Sequence, residues 1–156
     1  MYFCTILVVK YINCDNIWYV MDCIFCKIVG GKIPAKVIME SERSIAFLDA
    51  FPVTKGHTLV IPKRHYEKLQ SLSQEDNTDL FNMVHKIIPK VDALAGASLV
   101  AIHNGKEAGQ EVPHVHIHLI PRHQSDSAGA VHSMFANRPK LTDSEFSDLQ
   151  EKLKTS

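Results

Sequence analysis

The sequence predicts an α+β domain built on a five-stranded antiparallel sheet, with one long helix and several short ones. Three observations lead there. Short strand-like segments follow one another through tight turns, which favours antiparallel pairing. One long segment carries an apolar stripe at helical spacing. Residues 114–119 alternate histidine with an apolar side chain, the period of a strand. A chain of 156 residues is long enough to bury one sizeable core. Lys and Arg total 17 and Asp and Glu total 17, so no global basic field recruits nucleic acid, and an anionic ligand must be held by a local site.

Residues 1–20 differ from the rest. Tyr2 to Val9 is an apolar run too short for a membrane span and is followed by Lys10, Asn13, Asp15 and Asn16. It lacks the basic start and small-residue cleavage site of a signal peptide. The expectation is a poorly ordered extension, with a mistaken start, a targeting segment or an added strand left open. The domain itself takes residues 21–156, without internal repeats.

Within it, Phe25 to Val29 reads as a short helical turn stopped by Gly30-Gly31. Lys36 to Glu40, Ser44 to Leu48 and His57 to Ile61 read as strands, the last two separated by the turn-rich Asp49-Ala50-Phe51-Pro52. Ser73 is a candidate N-cap for the long helix. Leu80, Phe81, Val84, Ile87, Ile88, Val91 and Leu94 form its apolar stripe, and Pro89 should kink it. Ser98 to His103 and His114 to Ile120 are two more strands, joined by a loop containing Gly105 and Gly109. Thr142 and Glu145 form a capping box for a last short helix, with Leu141 and Phe146 as its staple and Phe146, Leu149 and Leu153 on one face.

On the strand from His114, the alternation puts His114, His116 and His118 on one face and Val115, Ile117 and Leu119 toward a core. Same-face rungs lie roughly 6 to 7 Å apart, so the rings are close enough to share a ligand, relay a proton or orient one another. Imidazole is the side chain most easily set near neutral pH to act as nucleophile, acid, base or metal ligand. The loop from Asn104 to Pro113 feeds into these histidines, and its glycines can turn backbone N–H groups toward an anion. Four cysteines are present, two of them as Cys23-Ile-Phe-Cys26. A disulfide, a redox pair, half a metal site and two reduced buried thiols are all compatible with that spacing. The ordinary composition favours a reducing compartment, and no βαβ context supports a redox pair.

His114-Val115-His116-Ile117-His118-Leu119-Ile120 resembles the histidine triad (HIT) signature, and the likeness extends over residues 22–123. It includes Cys23 to Ile28, Ile33-Pro34-Ala35-Lys36, Ala46-Phe47-Leu48-Asp49, Gly56 to Lys63 and Ala108-Gly109-Gln110. The resemblance implies a HIT-like fold whose sheet extends across a homodimer sharing a sheet edge and the helix between Ser73 and Ala95. It also implies a cytoplasmic or nuclear hydrolase of nucleotides, with no nucleic-acid or membrane partner.

By the same matching, His116 would attack the α-phosphorus to form a covalent nucleotidyl-histidine. His118 would bind and orient the phosphate, His57 would assist the leaving group, and His114 completes the triad. Asp49 would bind the ribose hydroxyls, with Phe25, Ile28, Ile33 and Phe47 around a purine base. Asn104, Gln110 and the backbone at Val112 would contact the phosphate. Glu111 departs from the branch with Ser there and receives no binding role, since a carboxylate beside a phosphate repels it. The zinc-bearing branch implies a structural Zn2+ on Cys23, Cys26, His65 and His114. The leading expectation is a nucleoside phosphoramidate hydrolase. Dinucleoside polyphosphate hydrolysis and a non-catalytic nucleotide-binding scaffold are the alternatives. Histidine at both 116 and 118 argues against nucleotidyl transfer.

Overall fold

The computed structural model describes residues 22–126, 128–134 and 139–154. The extension over residues 1–20 lies outside them. The chain divides into two compact units, the first ending at Asp126 and the second beginning at Ser127.

In the first unit, helix α1 (Ile24–Val29) precedes strands β1 (Lys36–Glu40), β2 (Ser44–Leu48) and β3 (Thr58–Pro62). Helix α2 (Gln74–Ala95) and strands β4 (Ala97–Ile102) and β5 (Ile117–Arg122) follow. The sheet runs β1-β2-β3-β5-β4, antiparallel at every junction. The second unit holds a turn of 3-10 helix (Val131–Met134) and helix α3 (Asp143–Lys154). The α3 capping box is formed: the Thr142 backbone N–H donates to Glu145 Oε2 at 2.7 Å, and the Glu145 N–H to Thr142 Oγ1 at 3.3 Å. Its Phe146, Leu149 and Leu153 are exposed.

Both faces of the sheet are covered, and strand alternation decides which residue serves which face. Ala46, Val60, Ile117 and Leu119 pack with Leu80, Met83, Val84, Ile87 and Val91 of α2. On the other face Ile45, Phe47, Leu59 and Ile61 pack with Cys23 and with Phe25 of α1. Every residue of β3 is therefore buried, and any polar side chain on this second face must find partners inside the protein.

Helix α2 starts where expected, with Ser73 Oγ accepting from the Asp76 N–H at 3.2 Å, and ends at Gly96 in the left-handed region with φ 90. Asp76 is buried and accepts from Tyr66 Oη at 2.5 Å and from Arg43 Nη1 at 2.9 Å. Burial raises its pKa, but the hydrogen bonds from Tyr66, Arg43 and Ser73 outweigh it and hold the carboxyl below the usual range. Pro89 does not interrupt the helix; it lies on the exposed side, as does His85, whose carbonyl loses its i+4 donor there. Met83 fills the core at a position outside the apolar stripe read from sequence, while Phe81 and Leu94 of that stripe are exposed.

Three strands are shifted from expectation, β3, β4 and β5, and the starts of two of them bear on the histidines. The strand expected over His57–Ile61 begins at Thr58, since the His57 carbonyl instead closes the turn by accepting from the Asp49 N–H. The strand expected over His114–Ile120 begins only at Ile117. Ahead of it, the Val115 N–H is donated at 2.6 Å to the Tyr66 carbonyl, outside the ladder, and the His114 N–H at 2.8 Å to the carbonyl of Val112. The inside–outside alternation nevertheless persists: Val115, Ile117 and Leu119 are all in the α2-side core.

Candidate functional site

The histidine face of β5 looks into the layer beneath α1. Leu59 pairs with His118 in the β3–β5 ladder, and His57 falls two residues before Leu59 on the same side of β3. Gly56 sets the approach of His57. Its φ is +93, a left-handed conformation that glycine adopts without strain.

The side chains form a hydrogen-bonded series. Asp49 Oδ1 accepts from the Phe51 N–H at 2.9 Å, and Oδ2 lies 3.3 Å from His57 Nδ1. His57 Nε2 is 2.9 Å from His118 Nδ1, with the rings stacked. The Val53 N–H also lies 3.4 Å from His57 Nδ1, but the carboxylate is the stronger partner and fixes a proton on that nitrogen. It follows that His57 Nε2 accepts from His118 Nδ1–H and that His118 Nε2 carries a bare lone pair. That Nε2 is buried and makes no hydrogen bond.

His116 is set independently. Its Nδ1–H donates to the carbonyl of His114 at 2.6 Å, leaving Nε2 as the lone-pair nitrogen. Its ring lies 4.9 Å from that of His118 and edge-on to Phe25 at 5.2 Å. Burial lowers the pKa of all three rings. For His118 burial and repulsion from His116, His57 and His103 bring it to about 4. Burial lowers His57 against the pull of Asp49, and lowers His116 against the bond to the His114 carbonyl. The three rings are neutral at pH 7, so His116 Nε2 offers an unprotonated lone pair.

His114 is fully buried and faces a second centre. Its Nε2–H donates to the Pro62 carbonyl at 2.9 Å, turning Nδ1 to Cys23 Sγ at 3.5 Å and Cys26 Sγ at 3.6 Å. His65 Nδ1 is 3.3 Å from Cys26 Sγ, and the four ligand atoms lie within 4.8 Å of one another. A tetrahedral zinc, with bonds of about 2.3 Å to sulfur and 2.0 to 2.1 Å to nitrogen, requires S···N separations of about 3.6 Å. The residues fit such an ion in donor type and spacing. The two thiols also polarise each other: the hydrogen bond from Cys26 holds Cys23 far below the usual thiol range, while the same bond pushes Cys26 up.

The sequence-selected pocket residues are brought together unevenly. Phe25 and Phe47 meet edge to face at 6.0 Å, and Ile28 and Val112 pack on the same cluster. Ile33 is half-buried at the turn after α1, its N–H donating to the Lys27 carbonyl. Asn104 and Gln110 spend their side chains on the loop. Asn104 accepts from the Leu69 N–H at 2.9 Å and donates to Gln70 at 3.1 Å, while Gln110 accepts from the Gly105 N–H and donates to the Glu67 carbonyl, each at 2.8 Å.

Sequence reasoning missed His103. Its ring lies 5.2 Å from His118, and its ligand atom falls within 4.8 Å of those of His116 and His118. The signal was one of register: Ile102 pairs with Ile117 across β4 and β5, and one step further sets His103 opposite His116.

The sheet turns neutral imidazoles inward, and one of them, His116, keeps a bare lone pair with its ring edge-on to Phe25, an arrangement chemically able to meet an electrophile. Residues 30–125 match the HIT domain, and the chain belongs to that family. It is 46% identical over 103 residues to an adenosine 5'-monophosphoramidase of Schizosaccharomyces pombe, covering 65% of this chain and 75% of that protein. The crystal structure of a histidine triad nucleotide-binding protein from Candida albicans superposes with TM-score 0.74 at 34% identity, over 86% of this chain and 96% of that one. A zinc-bound histidine triad family protein from Mycobacterium smegmatis matches with TM-score 0.63 at 33% identity, over 88% and 99% of the two chains.

The neutral cluster makes stability pH-dependent. An unfolded histidine protonates near 6.5, but His118 in the folded protein does so at about 4. Between those values the unfolded chain binds more protons, so stability falls as pH drops through this window. Replacing His118 by Asn should flatten that decline, measured as urea midpoints from pH 7 to pH 4. An unchanged slope in the variant would contradict the coupling.

Proposed function

We propose that the protein hydrolyses nucleoside phosphoramidates with purine bases through a covalent intermediate on His116. The observation that supports this most directly is the 2.6 Å bond from His116 Nδ1–H to the His114 carbonyl. It fixes the nucleophilic tautomer, and it strengthens as the ring turns cationic on attacking phosphorus. In the first half-reaction the Nε2–P bond forms and the P–N bond breaks. In the second, water attacks phosphorus, the Nε2–P bond breaks, and the nucleoside monophosphate leaves with His116 restored. Protons to the leaving amine and from the attacking water pass through the His57–His118 pair, whose charged form Asp49 stabilises.

On this reading Asp49 uses its remaining lone pairs for the ribose hydroxyls. Phe25, Ile28, Ile33 and Phe47 enclose the base. Asn104, Gln110 and the backbone at Val112 form the loop edge of the phosphate subsite. Incubating the protein with an adenosine phosphoramidate and, in parallel, a diadenosine polyphosphate tests the bond type, since selective loss of the second would replace this reading. His116→Ala should keep the fold and cut turnover by at least about three orders of magnitude, as for a lost nucleophile. Near-normal turnover would remove His116 from the role.

We further infer a structural zinc on Cys23, Cys26, His65 and His114, supported by the donor set and S···N spacing. When bound, the ion pins the turn before α1 to the sheet and supplies no chemistry to the phosphoryl step. Cys26→Ser should lower zinc content and melting temperature together, with a smaller loss of activity than His116→Ala. Elemental analysis showing no zinc in wild-type protein prepared without chelator, with both thiols freely reactive, would refute it.

A homodimer is supported by Phe81 and Leu94 of α2 and Val100 of the edge strand β4, which stay 42%, 58% and 43% exposed. Light scattering at micromolar protein should give twice the chain mass; a monomer would remove the dimer and leave the site assignment intact.

A further inference from the structure

We propose that Tyr66 is a positioning residue for the chemistry at His116: its carbonyl and its hydroxyl together hold the peptide unit against which that ring is set. The kinetic consequence rests on the phosphoryl-transfer reading; the hydrogen-bond part does not. The peptide unit joining His114 to Val115 is bonded at both ends. Its carbonyl accepts from His116 Nδ1–H at 2.6 Å, and its N–H donates to the Tyr66 carbonyl, also at 2.6 Å. In a trans peptide the C=O and N–H lie in one plane and point opposite ways, so a bond at one end fixes the direction of the other. Donation through the N–H also polarises the carbonyl and strengthens it as an acceptor. The Tyr66 oxygen thus sets both the place and the strength of the bond that orients His116.

The sheet does not supply this support. Pairing of β5 with β3 and with β4 reaches no further back than Ile117, and the His114–Val115 peptide lies beyond both ladders. Tyr66 can act as the anchor because it is itself held. Its ring is 9% exposed, in the α2-side core that also contains Val115, and its Oη donates to Asp76 Oδ2. Asp76 stands in the first turn of α2, accepts from Arg43 Nη1 at 2.9 Å and donates its own N–H to Ser73 Oγ. One side chain therefore joins the start of the long helix to the peptide behind the histidine. Phenylalanine at 66 would keep the ring in the core and release its hydroxyl end. A shift of a few tenths of an ångström at the carbonyl then misaligns His116, and reaction geometry is sensitive to displacements below about 1 Å.

Tyr66→Phe tests this, with turnover of adenosine phosphoramidate as one readout and proton–nitrogen-15 NMR of the histidine rings as the other. kcat should fall about tenfold while KM stays within about twofold of wild type. The His116 Nδ1–H signal, assigned by its loss in His116→Ala, should move upfield and exchange with water at least tenfold faster, and the Val115 amide should lose protection with it. A tyrosine that only fills the core would lower the melting temperature and leave these signals at their wild-type values. Unchanged signals in the folded variant overturn the proposal, as does a rise in KM at constant kcat. Should Tyr66→Phe lack a cooperative melt, Asp76→Asn, which weakens the acceptor for the Tyr66 hydroxyl, is read in the same way. Wild-type protein inactive on adenosine phosphoramidate would count against the nucleotide reading, and the NMR comparison still decides whether Tyr66 holds His116.

Discussion

The residue on which the rest of the site depends is His114, because it has four separate obligations and is fully buried while meeting them. Its backbone N–H closes a tight turn onto Val112, its ring Nε2–H is held by Pro62, its Nδ1 faces the two thiols, and its carbonyl fixes His116. A buried imidazole stripped of partners costs a few kcal/mol. These bonds offset that cost and lock one ring tautomer. The chain direction at the entry to β5 is thereby tied to the cysteine cluster on one side and His116 on the other. Two centres that look separate in composition share one residue.

That arrangement requires a sheet buried on both faces. Were the α1 face open to water, Asp49, His57 and His118 would exchange their mutual bonds for solvent, and the imidazoles would not be pushed toward neutrality. Phe25 provides the cover, with ring contacts to Phe47, His114 and His116. It also stands between the two centres. Helix α2 fills the other face mainly with apolar side chains, with buried Asp76 near its start satisfied by Tyr66 and Arg43, so the histidines are gathered on the α1 side and can find each other there.

Much of this was legible in the residues. The segments Lys36–Glu40 and Ser44–Leu48 match the strands residue for residue, and the Ser73 cap sets the start of the long helix, because flanking turn residues and capping chemistry act locally. The start of β5 was not legible: what ends the ladder at Ile117 is a bond to Tyr66, nearly fifty residues away in sequence. Pro89 stays within the helix because the carbonyl it deprives of a donor, that of exposed His85, lies on the solvent side. His103 was overlooked because a lone histidine at a strand end has no local signature, and only the register of β4 against β5 brings it to His116. The family motifs pointed to Cys23, Cys26, His65 and His114 as a set, and the fold brings them within 4.8 Å. The hydrogen bonds of Asn104 to Leu69 and Gln70 and of Gln110 to Glu67, which shape the loop they stand on, join residues 34 to 43 apart in the chain and have no local signature.

On the proposed phosphoryl-transfer reading the site faces two opposed demands, and hydrogen-bond direction reconciles them. A nucleophile must be neutral, while a phosphate is best held by N–H groups or positive charge. Burial first, and then repulsion from the neighbouring rings, lower His118 and oppose a second cation in the same layer. Holding His116 by a backbone carbonyl keeps its lone pair outward and gives it no route to shed a proton. Holding His118 through His57 to Asp49 gives that ring a path along which positive charge can spread once an anion arrives. The two imidazoles are chemically identical, and their different partners, a peptide oxygen for one and a carboxylate-backed ring for the other, allow them different roles.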